Sequence, residues 1–149
     1  GFKWKSRKPM KRTRIRVAGV SDTHDLLEEI QAILREIVMK RDKGCILRKY
    51  RNCGGEIGQA VIQADHLITR SNSATYANVR LVVCLCRGCH GWKHWNEKEY
   101  DALVKKILPK ETVELWKKCE IERQSHRAHK MDWMMELLYL KNELKKYEN

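Results

Sequence analysis

The chain has 149 residues, and its 31 Lys or Arg against 19 Asp or Glu give a formal net charge of +12. Apolar residues make up 42% of the sequence, which excludes wholesale disorder, while no run approaches the ~20 apolar residues that span a bilayer. The positive charge favours a nucleic acid as partner over an anionic membrane, which usually requires an amphipathic basic helix with an anchor. Without a signal-peptide pattern, we expect a soluble, cytoplasmic protein of one domain with extensions.

The beginning of the chain divides into a basic arm and a helix. Residues 1–20 contain eight Lys or Arg and no acid, which predicts either a solvated tail or an arm that lies along phosphates. From residue 23 to residue 42, apolar side chains recur at helical spacing between N-terminal cap candidates and a basic last turn. This pattern predicts a structural helix that ends before Gly44.

The centre of the chain predicts a hairpin followed by a helix. Residues 59–68 and 78–85 are short, apolar segments with β-forming composition, so we expect two strands joined by a polar loop. From Arg87 to about residue 106 the pattern is helical, and Pro109 ends it. The core is therefore expected to be a small hairpin–helix unit of the α+β class.

Two more helices are predicted after this unit, over residues 110–124 and 129–149. The second is amphipathic, so we expect it to pack against the domain or to form a homodimer rather than to contact nucleic acid. The chain then divides into three parts, a basic arm at 1–20, a domain with its leading helix at 21–108, and a helical extension at 109–149.

Four of the six cysteines have spacing that suits a structural zinc site. Cys86 and Cys89 form a C-x-x-C pair where the second strand meets the helix, and Cys45 and Cys53 form a wider pair upstream. Four thiolates around Zn²⁺ would make a closed tetrahedral site, which stabilises a small fold but leaves no position for chemistry. Cys84 is the alternative partner of Cys89, although the C-x-x-C spacing favours Cys86.

A second group of side chains suits a catalytic metal and a base. His90 and His94 are spaced i, i+4 on the predicted helix, so both imidazoles can reach one metal ion, although such pairs are often incidental. Asp65 and His66 stand at the end of the first strand and add a hard oxygen ligand and a separate imidazole. Phosphodiester hydrolysis needs a metal that stabilises the developing charge, and a base such as neutral imidazole that activates water.

Together these residues form a pattern that resembles the motif of the HNH, or ββα-metal, nucleases over about residues 45–96. The 24-residue separation between His66 and His90 is common in that family. The pattern consists of Asp65-His66, Asn78, Cys86-x-x-Cys89-His90 and His94.

The resemblance implies a divalent-metal-dependent DNA endonuclease with a small ββα-metal core and flanking helices. His66 would be the general base, and Asp65 and His90 would be ligands of a catalytic Mg²⁺ or Mn²⁺. His94 would be a third ligand or a phosphate contact. Asn78 would be the middle residue of the motif, which braces the loop and orients the base, although it precedes the C-x-x-C pair by eight residues where five is usual.

A looser resemblance, over roughly residues 25–145, is to the phage NinG/Rap recombination group, which cleaves branched DNA. It implies a substrate among recombination intermediates, in a bacterial host cell if a phage encodes the chain. In that group Asn usually follows the second Cys, where this chain has His90, and Asn96 is then an alternative ligand. The resemblance rests on "REIVMKRDKGC", "ADHLITRSNSATYANVR" and "EYDALVKKILPKETVELWKK".

Basic and aromatic side chains surround the motif. We expect Trp92 and Trp95 to pack in the core rather than to stack on bases. Two other functions remain open, a non-catalytic zinc-stabilised DNA-binding module and a protein that binds a partner through its C-terminal helices. The basic residues expected to hold phosphates, or else to be solvated charges, are Arg70, Arg80, Arg87 and Lys93.

Overall fold

The computed structural model describes residues 22–53, Gly55, 62–125 and 131–148, so the predicted basic arm at 1–20 lies outside the described residues. Within those ranges the protein belongs to the α+β class, as predicted, with five α-helices and one two-stranded antiparallel sheet. The elements are α1 (Asp22–Asp42), β1 (Ile62–His66), β2 (Val82–Cys86), α2 (Arg87–Trp95), α3 (Glu97–Ile107), α4 (Lys110–Ser125) and α5 (Trp133–Lys145).

The two strands form a hairpin whose register places His66 opposite Val82. Both α1 and α2 contact both strands, and every residue of β2 is buried. The sequence predicts the second strand from residue 78, but it begins at Val82 because Val79–Leu81 form a 3₁₀ turn. The side chain of Asn78 caps this turn by accepting a 3.1 Å hydrogen bond from the backbone N–H of Arg80.

The helix predicted to run unbroken from Arg87 to about residue 106 is interrupted at Asn96, so this prediction is wrong. Asn96 has φ −141° and ψ 46°, outside the helical region, and its side chain donates a 3.0 Å hydrogen bond to the carbonyl oxygen of Trp92. Asn side chains compete with the backbone for hydrogen bonds and therefore favour helix ends over helix interiors. After the break, Tyr100 and Val104 of α3 are buried in the core.

Helices α1 and α5 pack against each other, as predicted for the C-terminal helix. Leu137 and Leu140 of α5 are buried in this contact region, whereas Leu138 and Tyr139 are exposed. The homodimer therefore stays a prediction.

Among the helices of the described ranges, none combines the length and apolar content that crossing a membrane requires. The apolar stripe predicted for α1 is buried at Ile30, Leu34, Ile37 and Val38.

The C-terminal end of α1 is joined to the hairpin by a polar network. The guanidinium of Arg41 donates to the carbonyl oxygens of Val79 at 2.7 Å and Val82 at 2.6 Å. It also pairs with the carboxylate of Asp42, with Nε 2.8 Å from Oδ1. Oδ2 of Asp42 in turn accepts a 3.0 Å hydrogen bond from the backbone N–H of Cys84. The network therefore satisfies backbone groups that the two-stranded sheet leaves without partners.

Replacing Arg41 with Ala should destabilise the fold, because two carbonyls of buried residues lose their donor and Asp42 loses its counter-ion. We expect the free energy of unfolding to fall by about 2–4 kcal/mol, measured by urea denaturation. Lys40→Ala is the matched control, since its 3.2 Å ion pair with Glu36 is exposed and should contribute about 0.5 kcal/mol at most. Equal losses in the two variants would contradict the structural role of Arg41.

Candidate functional site

The four cysteines predicted as zinc ligands lie together. In a tetrahedral site with Zn–S distances of about 2.3 Å, the sulfur atoms are about 3.8 Å apart. The observed sulfur atoms all lie within 4.8 Å of one another, so the cluster could hold a metal ion such as zinc. Of the two alternatives that the sequence leaves open, the cluster contains Cys86 and not Cys84. Its members are Cys45, Cys53, Cys86 and Cys89.

Backbone contacts of the loop after α1 bring the two cysteine pairs together. The N–H of Cys45 donates to the carbonyl oxygen of Gly55 at 2.6 Å, and the N–H of Ile46 donates to the carbonyl oxygen of Cys84 at 2.9 Å. The loop therefore lies along β2. Position 55 has no room for a larger residue, because a Cβ there would lie 2.5 Å from Cβ of Cys45 and 3.1 Å from Sγ of Cys53.

Cys86 and Cys84 have different environments. Cys86 caps α2, and its sulfur accepts a 3.4 Å hydrogen bond from the backbone N–H of Cys89. Burial opposes ionisation of Cys86, but this hydrogen bond and those from neighbouring thiols outweigh it, so its pKa lies below the ordinary value. Burial raises the pKa of Cys84 to about 12. The position of the sulfur atoms decides between the two residues: Cys84 is a buried strand residue outside the cluster, and Cys86 belongs to the cluster.

Metal analysis of two matched variants tests this assignment. Cys86→Ala should remove most of the tightly bound zinc, about one ion per chain, and should unfold much of the protein, because three remaining thiolates cannot close the site. Cys84→Ala should keep the zinc and lose only the stability of one buried side chain. Zinc content is measured by mass spectrometry after gel filtration, with circular dichroism for the fold. Loss of zinc from Cys84→Ala alone would reverse the assignment.

Asp65 is a buried carboxylate at the end of β1, with a side chain only 7% exposed. Its Oδ2 accepts hydrogen bonds from Nζ of Lys93 at 2.7 Å and from the hydroxyl of Tyr100 at 2.9 Å. Its Oδ1 lies 3.6 Å from Nε2 of His90. A buried carboxylate needs such partners, because an unpaired charge in the interior is strongly unfavourable. Lys93, predicted to hold a phosphate, therefore stands as the counter-ion of Asp65.

His66 lies at the end of β1 with its ring stacked on Tyr76, at a centroid separation of 5.1 Å. Its Nε2 lies 2.9 Å from the carbonyl oxygen of Tyr76. The buried Nδ1 has no hydrogen-bond partner among the residues that the structure describes. Burial lowers the pKa of His66, and the charge of Arg70 acts in the same direction, whereas the hydrogen bond to Tyr76 opposes them. The ring is therefore held neutral near neutral pH.

His90 and His94 are neighbours on α2, with ring centroids 4.8 Å apart and planes at 87°. The structure thus brings Asp65 to His90 and His90 to His94. It does not bring ligand atoms of all three within 4.8 Å of one another. Within the described ranges, the groups that meet this distance are the cysteine cluster and an exposed group on α1, His24, Asp25 and Glu28.

An open cavity of about 620 Å³ lies beside these side chains. Its lining has three basic residues, Arg35, Arg70 and Lys93, and two acids, Asp65 and Glu97. A cleft of this charge and size can receive a phosphate group with its neighbouring sugar. The cavity is also lined by all four residues of the predicted catalytic group, Asp65, His66, His90 and His94.

Three predicted site residues lie outside the lining of this cavity. Asn78 caps the 3₁₀ turn that follows Tyr76, so it holds the loop whose carbonyl contacts His66 and does not contact the imidazole itself. Arg80 lies in that turn and Arg87 is the first residue of α2, and both are exposed. Their roles in DNA binding stay predictions.

The two tryptophans of α2 have different environments. Trp92 is partly buried against the core and lies under the guanidinium of Arg51, 4.0 Å from the ring centroid. Trp95 is 90% exposed, so the prediction that it packs in the core is wrong. The helix ends at this residue, and the break at Asn96 leaves the indole beyond the last packed turn.

Three contributions to the site were not foreseen from the sequence. Tyr100 donates a hydrogen bond to Asp65. The sequence does contain a signal for this contact, because a tyrosine within the apolar stripe of a helix has a buried hydroxyl that needs a hydrogen-bond partner. Tyr76 contributes a backbone carbonyl, for which side-chain identity carries no signal. Arg35 donates to the carbonyl oxygen of Ile62 at 3.2 Å, which places a side chain of the leading helix at the cavity.

Comparison with protein-family models finds no matching family, and comparison with curated proteins and with solved structures finds no significant match. A function for the protein must therefore be inferred from the geometry of the site.

Proposed function

We propose that the protein is a divalent-metal-dependent DNA endonuclease of the HNH kind, with branched or recombination-intermediate DNA as its substrate and a structural zinc at the four cysteines. The observation that carries the proposal is the state of His66. One ring nitrogen is bonded to a carbonyl oxygen, and the other is an unsatisfied acceptor in a residue that lines the cavity. A general base for water requires this arrangement.

The hydrogen bond to Tyr76 determines which nitrogen of His66 is the base. A carbonyl oxygen only accepts, so Nε2 carries the proton and Nδ1 keeps its lone pair in the neutral ring. The depressed pKa of His66 keeps that lone pair available near neutral pH. Nδ1 is buried in the described structure, so the proposal requires a shift of the His66 ring or of the loop at Tyr76 that lets a water molecule from the cavity donate to this atom.

Asp65 and His90 would hold the catalytic cation. Oδ1 of Asp65 and Nε2 of His90 are 3.6 Å apart, within reach of one ion that lies about 2.1 Å from each. Mg²⁺ commonly uses few protein ligands and fills its other positions with water and phosphate oxygens, so two ligands are sufficient. A cation bound there supplies Lewis-acid stabilisation of the charge on the phosphate and on the leaving oxygen. His94 would act as a phosphate contact or, after a change of rotamer, as a third ligand.

The residues of the cavity would orient the scissile phosphate. Arg35 uses Nε for the carbonyl of β1, which leaves its two terminal nitrogens for a phosphate. Arg70 lies on the loop that follows β1 and lines the same cavity. Positive charge on two sides of the cavity would hold the phosphorus near Nδ1 of His66.

In the proposed reaction, the water oxygen attacks phosphorus while its proton passes to Nδ1 of His66. The carbonyl of Tyr76 keeps the Nε2 proton in place and stabilises the imidazolium that forms. The bond between phosphorus and the 3′ oxygen breaks, and its electron pair leaves with that oxygen, which takes a proton from solvent. The products are a 5′-phosphate and a 3′-hydroxyl.

His66→Ala should abolish most cleavage while it preserves the fold and DNA binding. We expect the rate to fall by about 10² or more, because the general base is lost. Cleavage is measured with added Mg²⁺ or Mn²⁺ on linear, nicked and four-way-junction DNA. For the unmodified protein, the rate should decline toward acid with a midpoint below about 6.5, since burial lowers the pKa of His66 and protonation removes the lone pair.

His24→Ala is the matched control for His66→Ala, because His24 is an exposed histidine on α1 and does not line the cavity. It should leave cleavage unchanged. If both alanine variants cut as fast as the unmodified protein, His66 is not the general base. If the metal-replete protein cuts none of the three DNA forms, the enzyme proposal fails. DNA binding that persists in that case would indicate a non-catalytic zinc-stabilised module.

Lys93→Met should tighten the binding of a divalent cation, because the ammonium and the cation are alternatives at the same buried carboxylate. A charged hydrogen bond contributes about 1.5–3 kcal/mol, so we expect Mn²⁺ affinity to rise about tenfold or more, measured by calorimetry without DNA. The control is Lys98→Met, since Lys98 is an exposed residue that does not line the cavity. Unchanged Mn²⁺ affinity in Lys93→Met would show that the cation does not bind at Asp65.

A further inference from the structure

Trp95 is the most exposed large apolar side chain in the described part of the protein, at 90%. A buried indole removes about 150–250 Å² from water, so leaving one in solvent forgoes a large stabilisation. Trp92, Trp116 and Trp133 are all buried or partly buried in the same structure. The exposure of Trp95 is therefore a feature that the fold itself does not require.

The position of Trp95 is fixed by hydrogen bonds of the next residue. The N–H of Asn96 donates to the carbonyl oxygen of Lys93 at 3.2 Å, and its side chain donates to the carbonyl oxygen of Trp92. The carbonyl of Asn96 also accepts a 2.8 Å hydrogen bond from the N–H of Tyr100, which begins the packed part of α3. The backbone on both sides of the indole is thus anchored, which limits the entropy lost when a ligand binds it.

The helix surface that leads to Trp95 has no covering side chains. Gly91 precedes it by one turn and Arg87 by two turns, so the three residues share one side of α2. A Cβ at Gly91 or at Gly88 would meet no atom within 4 Å, so packing does not explain these glycines. Glycine inside a helix is destabilising by about 0.5–1 kcal/mol relative to Ala. Bare backbone on an exposed helix surface permits the close approach of a partner.

Local positive charge is not sufficient to attract a nucleic acid to the C-terminal end of α2. Glu97 and Glu99 stand in the first turn of α3, immediately beyond Trp95, and Arg87 is two turns away. The aromatic face must therefore supply the local affinity, with the net charge of +12 acting at longer range. A protein or membrane contact would favour further exposed apolar side chains near the indole. The adjacent residues in the chain are His94 and Asn96, Gly91 lies one turn before, and Trp92 is packed against the core.

We propose that Trp95 is a stacking platform for an unpaired base, next to the phosphate held in the cavity. His94, the adjacent residue, lines that cavity, so a nucleotide chain whose phosphate lies there can place a neighbouring base on the indole. The bases of an intact duplex are already stacked on one another, and only a single-stranded segment or branch point offers a free face. The inference rests on the proposed function for the cleaved phosphate and defines its substrate as DNA with unpaired bases.

The test compares binding to single-stranded and duplex DNA in the full chain without added Mg²⁺ or Mn²⁺, so that no cleavage occurs. The probes are a fluorescent 12-nucleotide oligothymidylate and a 12-base-pair duplex, measured by anisotropy. Stacking contributes about 1–3 kcal/mol per base, so Trp95→Ala should weaken single-strand binding about 5- to 150-fold. Duplex binding should change less than twofold, because phosphates dominate it.

Two further variants separate stacking from other effects. Trp95→Phe should restore most of the single-strand affinity, since a smaller aromatic face is kept. Tyr139→Ala removes an aromatic that is 47% exposed on α5 and should leave both affinities unchanged. All three variants should keep the far-ultraviolet circular dichroism of the unmodified protein, because both side chains are exposed.

Several results would overturn the inference. Equal losses for the two DNA forms, or no loss in Trp95→Ala, would mean that no base stacks on the indole. Loss of binding to anionic lipid vesicles, with DNA binding intact, would assign Trp95 to a membrane surface. This test needs no cleavage, so it is independent of the nuclease proposal. Selective loss of single-strand binding in a protein that does not cut DNA would retain the stacking site and reject the nuclease. Cleavage and single-strand binding that are both unchanged in Trp95→Ala would retain the nuclease and reject the stacking site.

Discussion

The four-cysteine cluster is the constraint on which the rest of the structure depends. A two-stranded hairpin is marginal by itself, and here the cluster joins its second strand and the start of α2 to the loop after α1. His90 directly follows Cys89, so its position is tied to the cysteine cluster. Asp65 approaches from β1, whose register with β2 is fixed beside the same cysteines. The strand register and the cluster together therefore bring Oδ1 of Asp65 to 3.6 Å from Nε2 of His90.

Charge compensation at Asp65 is the second feature that determines the geometry of the candidate site. The carboxylate is buried, and in a chain of net charge +12 a lysine and a phenol satisfy it directly. Burial makes this carboxylate a strong ligand for any cation, and the same burial strengthens its attraction for Lys93. The ammonium also lies 4.8 Å from the ring centroid of Tyr100, which stabilises it in this position. Binding of a divalent ion at Asp65, as proposed, would therefore require Lys93 to move.

The features that could be predicted from the sequence are those set by local pattern. The α1 helix follows from its apolar stripe, and the cysteine ligands follow from the C-x-x-C spacing beside a strand end. The remainder depends on contacts between distant segments. The break at Asn96 arises where an intrinsically helical pattern meets an Asn that bonds back to Trp92. The carbonyl of Tyr76 that orients His66 has no sequence signature, because every residue has a carbonyl.

Helix α2 shows why the two candidate sites are coupled. It spans Arg87–Trp95 and contains two glycines, whereas isolated helices shorter than about 12–15 residues are marginal in water. Its stability must come from the packing of Cys89 and Trp92 against the core and from its two ends, where Cys86 caps it and Asn96 terminates it. His90 and His94 face the cavity between these ends, and Trp95 extends past the second. If a metal ion holds the cluster together as proposed, its removal should loosen the start of α2, and the positions of His90, His94 and Trp95 should then change together.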